Sequence, residues 1–347
     1  MESLGKIDRA FFDEHVYPHL GAERDDVTLG PRHGVDFGVM AVGGRAVAMA
    51  TDPVFVMPSL GFERAAWFAF HILVSDVAVS GLPPTHLSVD FNLPPEIADG
   101  EIRTVLETFD REARKLDVAI VTGHTARYAG CNYPMVGGAT SVAVGDPADL
   151  VRPDGARPGD AVVVTKGPAV EATGLMSIQF ESMLREELDG EAVDAATERF
   201  YDMSPVRDAL VAAAAGPVTA MHDATECGVY GGLYEMARAA GVGVDVSREA
   251  FPVLPGVREA CDFFGIDPWK SISEGTLLVA VDPDGVDAVL SALEGEGIPA
   301  AAVGEIREGS GLRVDGEPVD HPEVDPFWGA FEEYMGKVQS ANESGGA

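Results

Sequence analysis

Segments with a two-residue apolar period and segments with a helical one succeed each other along the chain, and the periods predict its elements. Asp8 to Leu20 has the spacing of a short amphipathic helix, followed by a polar, Gly/Pro-containing stretch from Gly21 to Gly34. Asp36 to Val42 and Arg45 to Thr51 read as strands joined by Gly43-Gly44, a pair that supplies the positive φ values of a two-residue hairpin turn. Phe62 to Ser80 is apolar around most of its circumference, which predicts a helix buried on most sides. Thr85 to Leu93 reads as a strand and Glu96 to Leu116 as a long helix with a charged outer face. Val118 to Thr122 and Pro134 to Gly145 read as further strands.

The Pro-, Gly- and Asp-rich run from Asp146 to Asp160 interrupts all periodicity and predicts a domain boundary. The division is then an N-terminal domain over 1–150, a C-terminal domain over 151–338 and a frayed tail over 339–347. The second half opens with a strand, Ala161 to Thr165, and alternates helix and strand, with a helix at Leu233 to Ala240 and a last one at Pro326 to Met335. At 347 residues, 46% hydrophobic and 23% charged, each half is large enough to bury its own core.

Charge changes the picture. With 57 acidic against 24 basic residues the formal net charge is −33, which argues against nucleic acid as a partner, since phosphate neutralisation needs clustered Lys and Arg. Only Lys6, Lys115, Lys166, Lys270 and Lys337 are lysines; the other basic residues are arginines. A surface this acidic repels itself in dilute salt, yet stays soluble where the Debye length falls to about 3 Å at molar salt. The expectation is a halophile's cytoplasmic protein. Cys131, Cys227 and Cys261 form neither a C-x-x-C pair nor a disulfide framework, which fits a reducing compartment. The first residues lack the basic start and apolar core of a signal peptide. The longest apolar stretch, Ala209 to Met221, is broken by Gly216-Pro217 and is too short to span a membrane.

The informative oddities are aspartates among apolar residues. Asp36 opens the first hairpin strand, Asp52 closes the second, and Asp76 lies in Val74-Ser75-Asp76-Val77-Ala78. A lone buried carboxylate is costly, so each should be paired, hydrogen-bonded or on a metal. Antiparallel pairing would bring Asp36 and Asp52 together, and oxygen-only ligands of this kind suit Mg²⁺. Singly each has a plainer reading: Asp36 as a turn residue, Asp52 as a turn initiator before Pro53, Asp76 as the partner of an arginine. A second cluster, Gly123-His124-Thr125-Ala126-Arg127, follows a strand, and strand-end loops of this composition suit phosphate or metal; a hydrogen-bonded structural histidine is the alternative. A third, Met221 to Gly232, leads a strand into a helix whose glycines either expose an anion site or permit close packing. Neither a G-x-G-x-x-G nor a Walker loop occurs.

In this order the motifs resemble the aminoimidazole ribonucleotide (AIR) synthetase-like superfamily, nearest its archaeal HypE-like, AIR synthase-related branch. The residues that carry the resemblance are Gly5-Lys6, Gly34-Val35-Asp36, Thr51-Asp52, Ser75-Asp76-Val77-Ala78 with Gly81, Gly123-His124-Thr125, His222-Asp223-Ala224-Thr225 with Gly228, and Gly275-Thr276-Leu277-Leu278. They span nearly the whole chain. The resemblance implies an α+β, two-domain subunit with a C-terminal α/β domain, a homodimer through N-terminal domains whose sheets form a β-barrel across the interface, and ATP between the domains with Mg²⁺. It implies metal ligation by Asp36, Asp52 and Asp76, catalytic roles for Asp76, Asp223 and Lys6, and nucleotide contacts from Gly34, Asp36, Thr51, Gly123, His124, Thr125, Arg127 and Gly228.

The chain also departs from its relatives. The HypE-like proteins carry a carbamoyl group on a C-terminal cysteine, whereas the last cysteine here is Cys261, so that route is not expected. The selenophosphate synthetases use a Cys or selenocysteine near an N-terminal Lys, and none precedes Cys131. Where thiamine monophosphate kinases have paired aspartates this chain has Asp36-Phe37-Gly38, and where the superfamily often has Asp after Gly123 it has His124. The expected function is an ATP- and Mg²⁺-dependent enzyme that phosphorylates an oxygen of a small substrate. The alternatives are a thiamine monophosphate kinase-like enzyme and a non-catalytic, nucleotide-binding maturation or scaffold partner.

Overall fold

The computed structural model describes residues 9–345 and has an α+β architecture built on two sheets. The first orders its strands β1-β2-β3-β6-β4-β5: β1 is Val27–Leu29, β2 Gly38–Val42, β3 Arg45–Phe55, β4 Pro84–Leu93, β5 Ala119–Arg127 and β6 Met135–Gly145. Its hairpin forms where the sequence predicts, with Val42 opposite Arg45 and Gly43 and Gly44 at φ 58° and 80°. β3 continues past the predicted end to Phe55, pairing with β6, because β2 stops at Gly38 and leaves Pro53 nothing to donate to on that side. Asp52 therefore lies inside β3, and Asp36 lies just before β2.

The helix Phe62–Ala78 is buried on most sides, as its composition demands, through Ala65, Ala66, Phe68, Ala69, Phe70, Leu73, Val74 and Val77. The helix Asp99–Lys115 packs on it and connects β4 to the parallel strand β5. At the N-terminus the expected single helix is irregular: one α-helical turn at Arg9–Phe11 gives way to a wider turn over Phe12–Val16 and a tighter one over Tyr17–His19.

The second sheet runs β13-β12-β9-β11-β7-β10-β8, with β7 Ala161–Thr165, β8 Val218–Asp223, β9 Gly243–Val246, β10 Leu277–Val281, β11 Ala300–Arg307, β12 Gly311–Val314 and β13 Glu317–Val319. β7 and β10 are buried on both faces, which explains their unbroken apolar runs, whereas the buried end of β8 carries His222 and Asp223. One core joins the halves: Val39, Ala46, Ala48 and Ala50 of the first sheet pack with Val163, Met221, Leu277 and Val279 of the second. The last helix, Pro326–Gly345, runs on through residues expected to fray, anchored by Phe327 and Tyr334 against Phe180 and Phe264. No helix among the described residues is long and apolar enough to cross a membrane.

Candidate active site

The aspartates singled out in the sequence converge between the two halves. Asp52 comes from β3, Asp76 from the last turn of the helix Phe62–Ala78, and Asp223 from the end of β8. Asp76 is held well above the usual carboxylate range, first by burial and then by the charges of Asp223, Asp52, Asp36 and Glu274. Its place beside the negative end of a helix dipole pushes the same way. No arginine pairs with Asp76 among the described residues. Glu112 shows the contrast: its side chain is also buried, yet bonds from Lys115 and Arg111, with the His71 ring close by, outweigh burial and hold its carboxyl at about 2.

His222, the residue before Asp223, ties the halves together. Its Nδ1 lies 2.6 Å from Asp36 Oδ2 and its Nε2 lies 3.0 Å from Glu235 Oε2 on the helix Gly228–Ala240. Burial alone would lower the pKa of this ring, but Asp36 and Glu235 outweigh it and raise the value well above 6.5. Gly34 makes the approach possible. At φ 73°, a Cβ there would stand 2.5 Å from the backbone oxygen of Glu235, so only glycine lets this segment press Asp36 onto β8.

Two acids that sequence reasoning missed complete the cluster. Glu274 precedes β10, and its Oε1 lies 2.6 Å from Ser75 Oγ, which is also 2.7 Å from His71 O. One hydroxyl proton cannot serve both acceptors, and a protonated Glu274 resolves this by donating to Oγ. Its pKa is indeed raised well above the usual range, by burial and then by Asp223 and Glu171. Glu171 accepts from the Glu274 N–H at 3.1 Å, and burial pushes it up to about 8. The sequence signal for Glu171 was a lone charge in the apolar run Val170 to Ile178.

The second predicted cluster lies elsewhere. Gly123 to Arg127 form not a strand-end loop but the second half of β5, the sheet's outer strand, in register with β4 through Leu93 opposite Arg127. The run Asp52, Ala139, Val89, Gly123 crosses the sheet, so Gly123 stands three strand spacings, about 14 Å, from Asp52. Gly123 is required because a Cβ would meet Val89 O at 2.3 Å. His124 bonds to Tyr128 Oη at 2.8 Å, Thr125 is exposed, and Arg127 is directed to Asp99 and the Ile97 carbonyl at the start of the helix Asp99–Lys115. Thr51 is exposed beside Thr140, and Lys6 lies outside the described residues.

In the third cluster the helix begins at Gly228, five positions before the predicted Leu233. Gly228 is a packing residue: at φ 61°, a Cβ would stand 2.6 Å from Ser271 O. Asp325 caps this end by accepting from the Cys227 N–H at 2.7 Å, and it also accepts from the Phe327 N–H. The Cys227 thiol is buried and donates to Pro322 O.

Comparison with known proteins agrees with this architecture. The family model described as AIR synthase related protein, N-terminal domain, matches residues 34–149, and that of the C-terminal domain matches 157–317. The chain is 31% identical to the carbamoyl dehydratase HypE of Rhizobium leguminosarum bv. viciae over 281 residues, covering 79% of this chain and 77% of that one. Escherichia coli HypE, a hydrogenase maturation protein, superposes with a TM-score of 0.68 at 27% identity, covering 81% of this chain and 87% of its own. A HypE structure in complex with ATP superposes at 0.64 and 25% identity, covering 92% and 93%. With both domain models matched in order across the two sheets, the chain belongs to the AIR synthase-related family.

Proposed function

We propose that this protein is an ATP- and Mg²⁺-dependent enzyme that phosphorylates an oxygen of a small substrate. The observation that carries the reading is Asp76, a carboxyl enclosed by four others at the junction of the two halves, an arrangement unfavourable in itself and suited to a cation. Oxygen donors of this kind fit Mg²⁺, which completes its shell with water and phosphate. Asp36, Asp52 and Asp76 would hold the ion, and Asp223 would face the phosphoryl group or substrate. When bound, Mg²⁺ supplies charge neutralisation for the transferring phosphoryl group. A related HypE crystallised with ATP supports the nucleotide.

The outer strand β5 adds an assembly to the reading. Ile120, Val121 and Tyr128 are exposed on or beside it, and its free edge offers unpaired backbone groups. A homodimer in which this edge completes a barrel across a two-fold axis would cover it. Such a barrel would also give His124 and Thr125 a route to the partner's nucleotide, which the distance from Asp52 denies them within one subunit. Cys261 is unsuited to carrying an acyl group, since it is buried and its thiol is pushed up to about 12.

The test is incubation with Mg²⁺, γ-labelled ATP and a metabolite pool in molar KCl, with the labelled product identified by mass. Transfer of label to a small molecule is the expected result. Nucleotide binding with neither transfer nor phosphate release would establish the non-catalytic partner instead.

A further inference from the structure

The side chain of His71 belongs to a polar group outside the acidic cluster. On the helix Phe62–Ala78 it is 7% exposed, and its Nδ1 lies 2.8 Å from the hydroxyl of Ser204. Ser204 is half-buried between the turn Arg199–Asp202 and the helix Val206–Ala215. The Nε2 of His71 is buried, has no hydrogen-bond partner and faces Glu112 Oε2 at 3.6 Å. With its carboxyl held at about 2, Glu112 is ionised. A carboxylate on that side favours a proton on Nε2, which leaves the Nδ1 lone pair to accept from Ser204. Burial holds the ring below its usual 6.5, with Lys115 and Lys166 pushing the same way and Glu112 opposing them. The imidazole is therefore neutral at pH 7, a base in contact with a hydroxyl.

We propose that Ser204, His71 and Glu112 form a second active centre, which hydrolyses small esters through an acyl-Ser204 intermediate. Ser204 Oγ attacks the ester carbonyl carbon while its proton passes to His71 Nδ1. The bond from that carbon to the alcohol oxygen then breaks, and the alcohol leaves with the proton. Water attacks the acyl-serine in turn, giving a proton to Nδ1, which returns it to Ser204 Oγ as the acid departs. Glu112 is a positioning residue that sets the tautomer and stabilises the imidazolium. The setting suits a nucleophile. Lys166 Nζ donates to Ser204 O at 2.9 Å and to Asp202 O at 3.0 Å, which fixes the loop. The helix that follows has no side-chain cap, and its first backbone bond runs from the Ala209 N–H to Pro205 O. The N–H groups of Val206 and Arg207 and the positive end of the dipole thus lie just past Ser204, which favours an oxyanion formed there. Trp67 covers the His71 ring at 4.3 Å between centroids, and Tyr201, 56% exposed, stands 5.2 Å from Trp67. These aromatic faces suit an apolar acyl group. No nucleotide or cation enters the step, so the activity stands apart from phosphoryl transfer.

The test exposes the full chain, in molar KCl with a chelator and no ATP, to a fluorophosphonate, which a serine activated in this way attacks with loss of fluoride. Mass spectrometry of the digest should find the phosphonyl group on Ser204, and hydrolysis of p-nitrophenyl butyrate should stop as labelling proceeds. His71→Gln should slow labelling by about 100-fold or more. In wild type the labelling rate should rise with pH as His71 loses its proton. Glu112→Gln removes the charge that favours the protonated ring, so the midpoint should move to lower pH, a shift that loss of a merely structural contact would not give. The proposal is overturned if Ser204 of the folded wild type stays unlabelled at millimolar probe, if His71→Gln is labelled as fast, or if Ser204→Ala hydrolyses the ester equally well. An unmoved midpoint would remove Glu112 from the relay. The wild-type label decides even where a variant folds poorly.

Discussion

Asp36 and His222 stand 186 residues apart in the chain and 2.6 Å apart in the fold. The contact joins the segment leading into the first sheet to the inner end of the second, at the point where Asp76 meets Asp223. The junction of the halves is thus also the place where charge is concentrated.

Asp76 is the residue on which the nucleotide reading turns. Asp76→Asn removes a carboxyl that burial and the charges of Asp223, Asp52, Asp36 and Glu274 disfavour, so the metal-free protein should melt no lower than wild type. Mg²⁺–ATP affinity should fall at least about tenfold, on the order of 1.4 kcal/mol. Calorimetric titration beside a thermal melt checks both, and unaltered nucleotide affinity would remove Asp76 from the metal site.

Glu171 predicts the pH dependence of stability. Its folded pKa of about 8 exceeds the ordinary 4.5, so between these values the native state binds the extra proton. Stability should therefore fall as pH rises through this window, by up to about 1.4 kcal/mol per unit. His222 acts in the same direction, its raised value giving stability that is complete below 6.5 and lost as pH climbs through the folded value. Urea unfolding at pH 6 and 8.5 should show the decline in wild type and a smaller one in Glu171→Gln. Equal slopes in the two proteins would contradict the assignment.

Light scattering in molar KCl should report a dimer. Val121, 58% exposed on the outer strand, is the residue to perturb. Val121→Glu should shift the equilibrium to monomer, since an uncompensated charge in a covered strand edge opposes pairing. A wild-type monomer at micromolar concentration would dismiss the barrel.

Cys227→Ser should retain both nucleotide binding and turnover. The serine hydroxyl can still donate to Pro322 O, and phosphoryl transfer needs no sulfur nucleophile. Turnover lost with binding and folding intact would point to covalent catalysis.

Much of this was legible in the sequence, for physical reasons that can be named. The Gly43-Gly44 hairpin, the buried helix around Phe68 and Leu73, and the strand from Ala161 are decided by local period and turn chemistry, which a sequence displays directly. The oddity of Asp76 was equally visible, because a carboxylate among Val74, Val77 and Ala78 breaks the local rule. Tertiary structure alone decided the rest. Gly123 to Arg127 carry turn-like and ligand-like residues, yet strand pairing with β4 drew them into the sheet's edge, and no local pattern reports a pairing partner. Glu274 and Glu235 look like ordinary surface acids in the sequence, and Glu171 stands out only as a lone charge in an apolar run; the charge they share arises only when β8, β10 and two helices close around Asp223. Local sequence fixes the period of an element, while the field at a carboxyl depends on which distant charges the fold delivers to it.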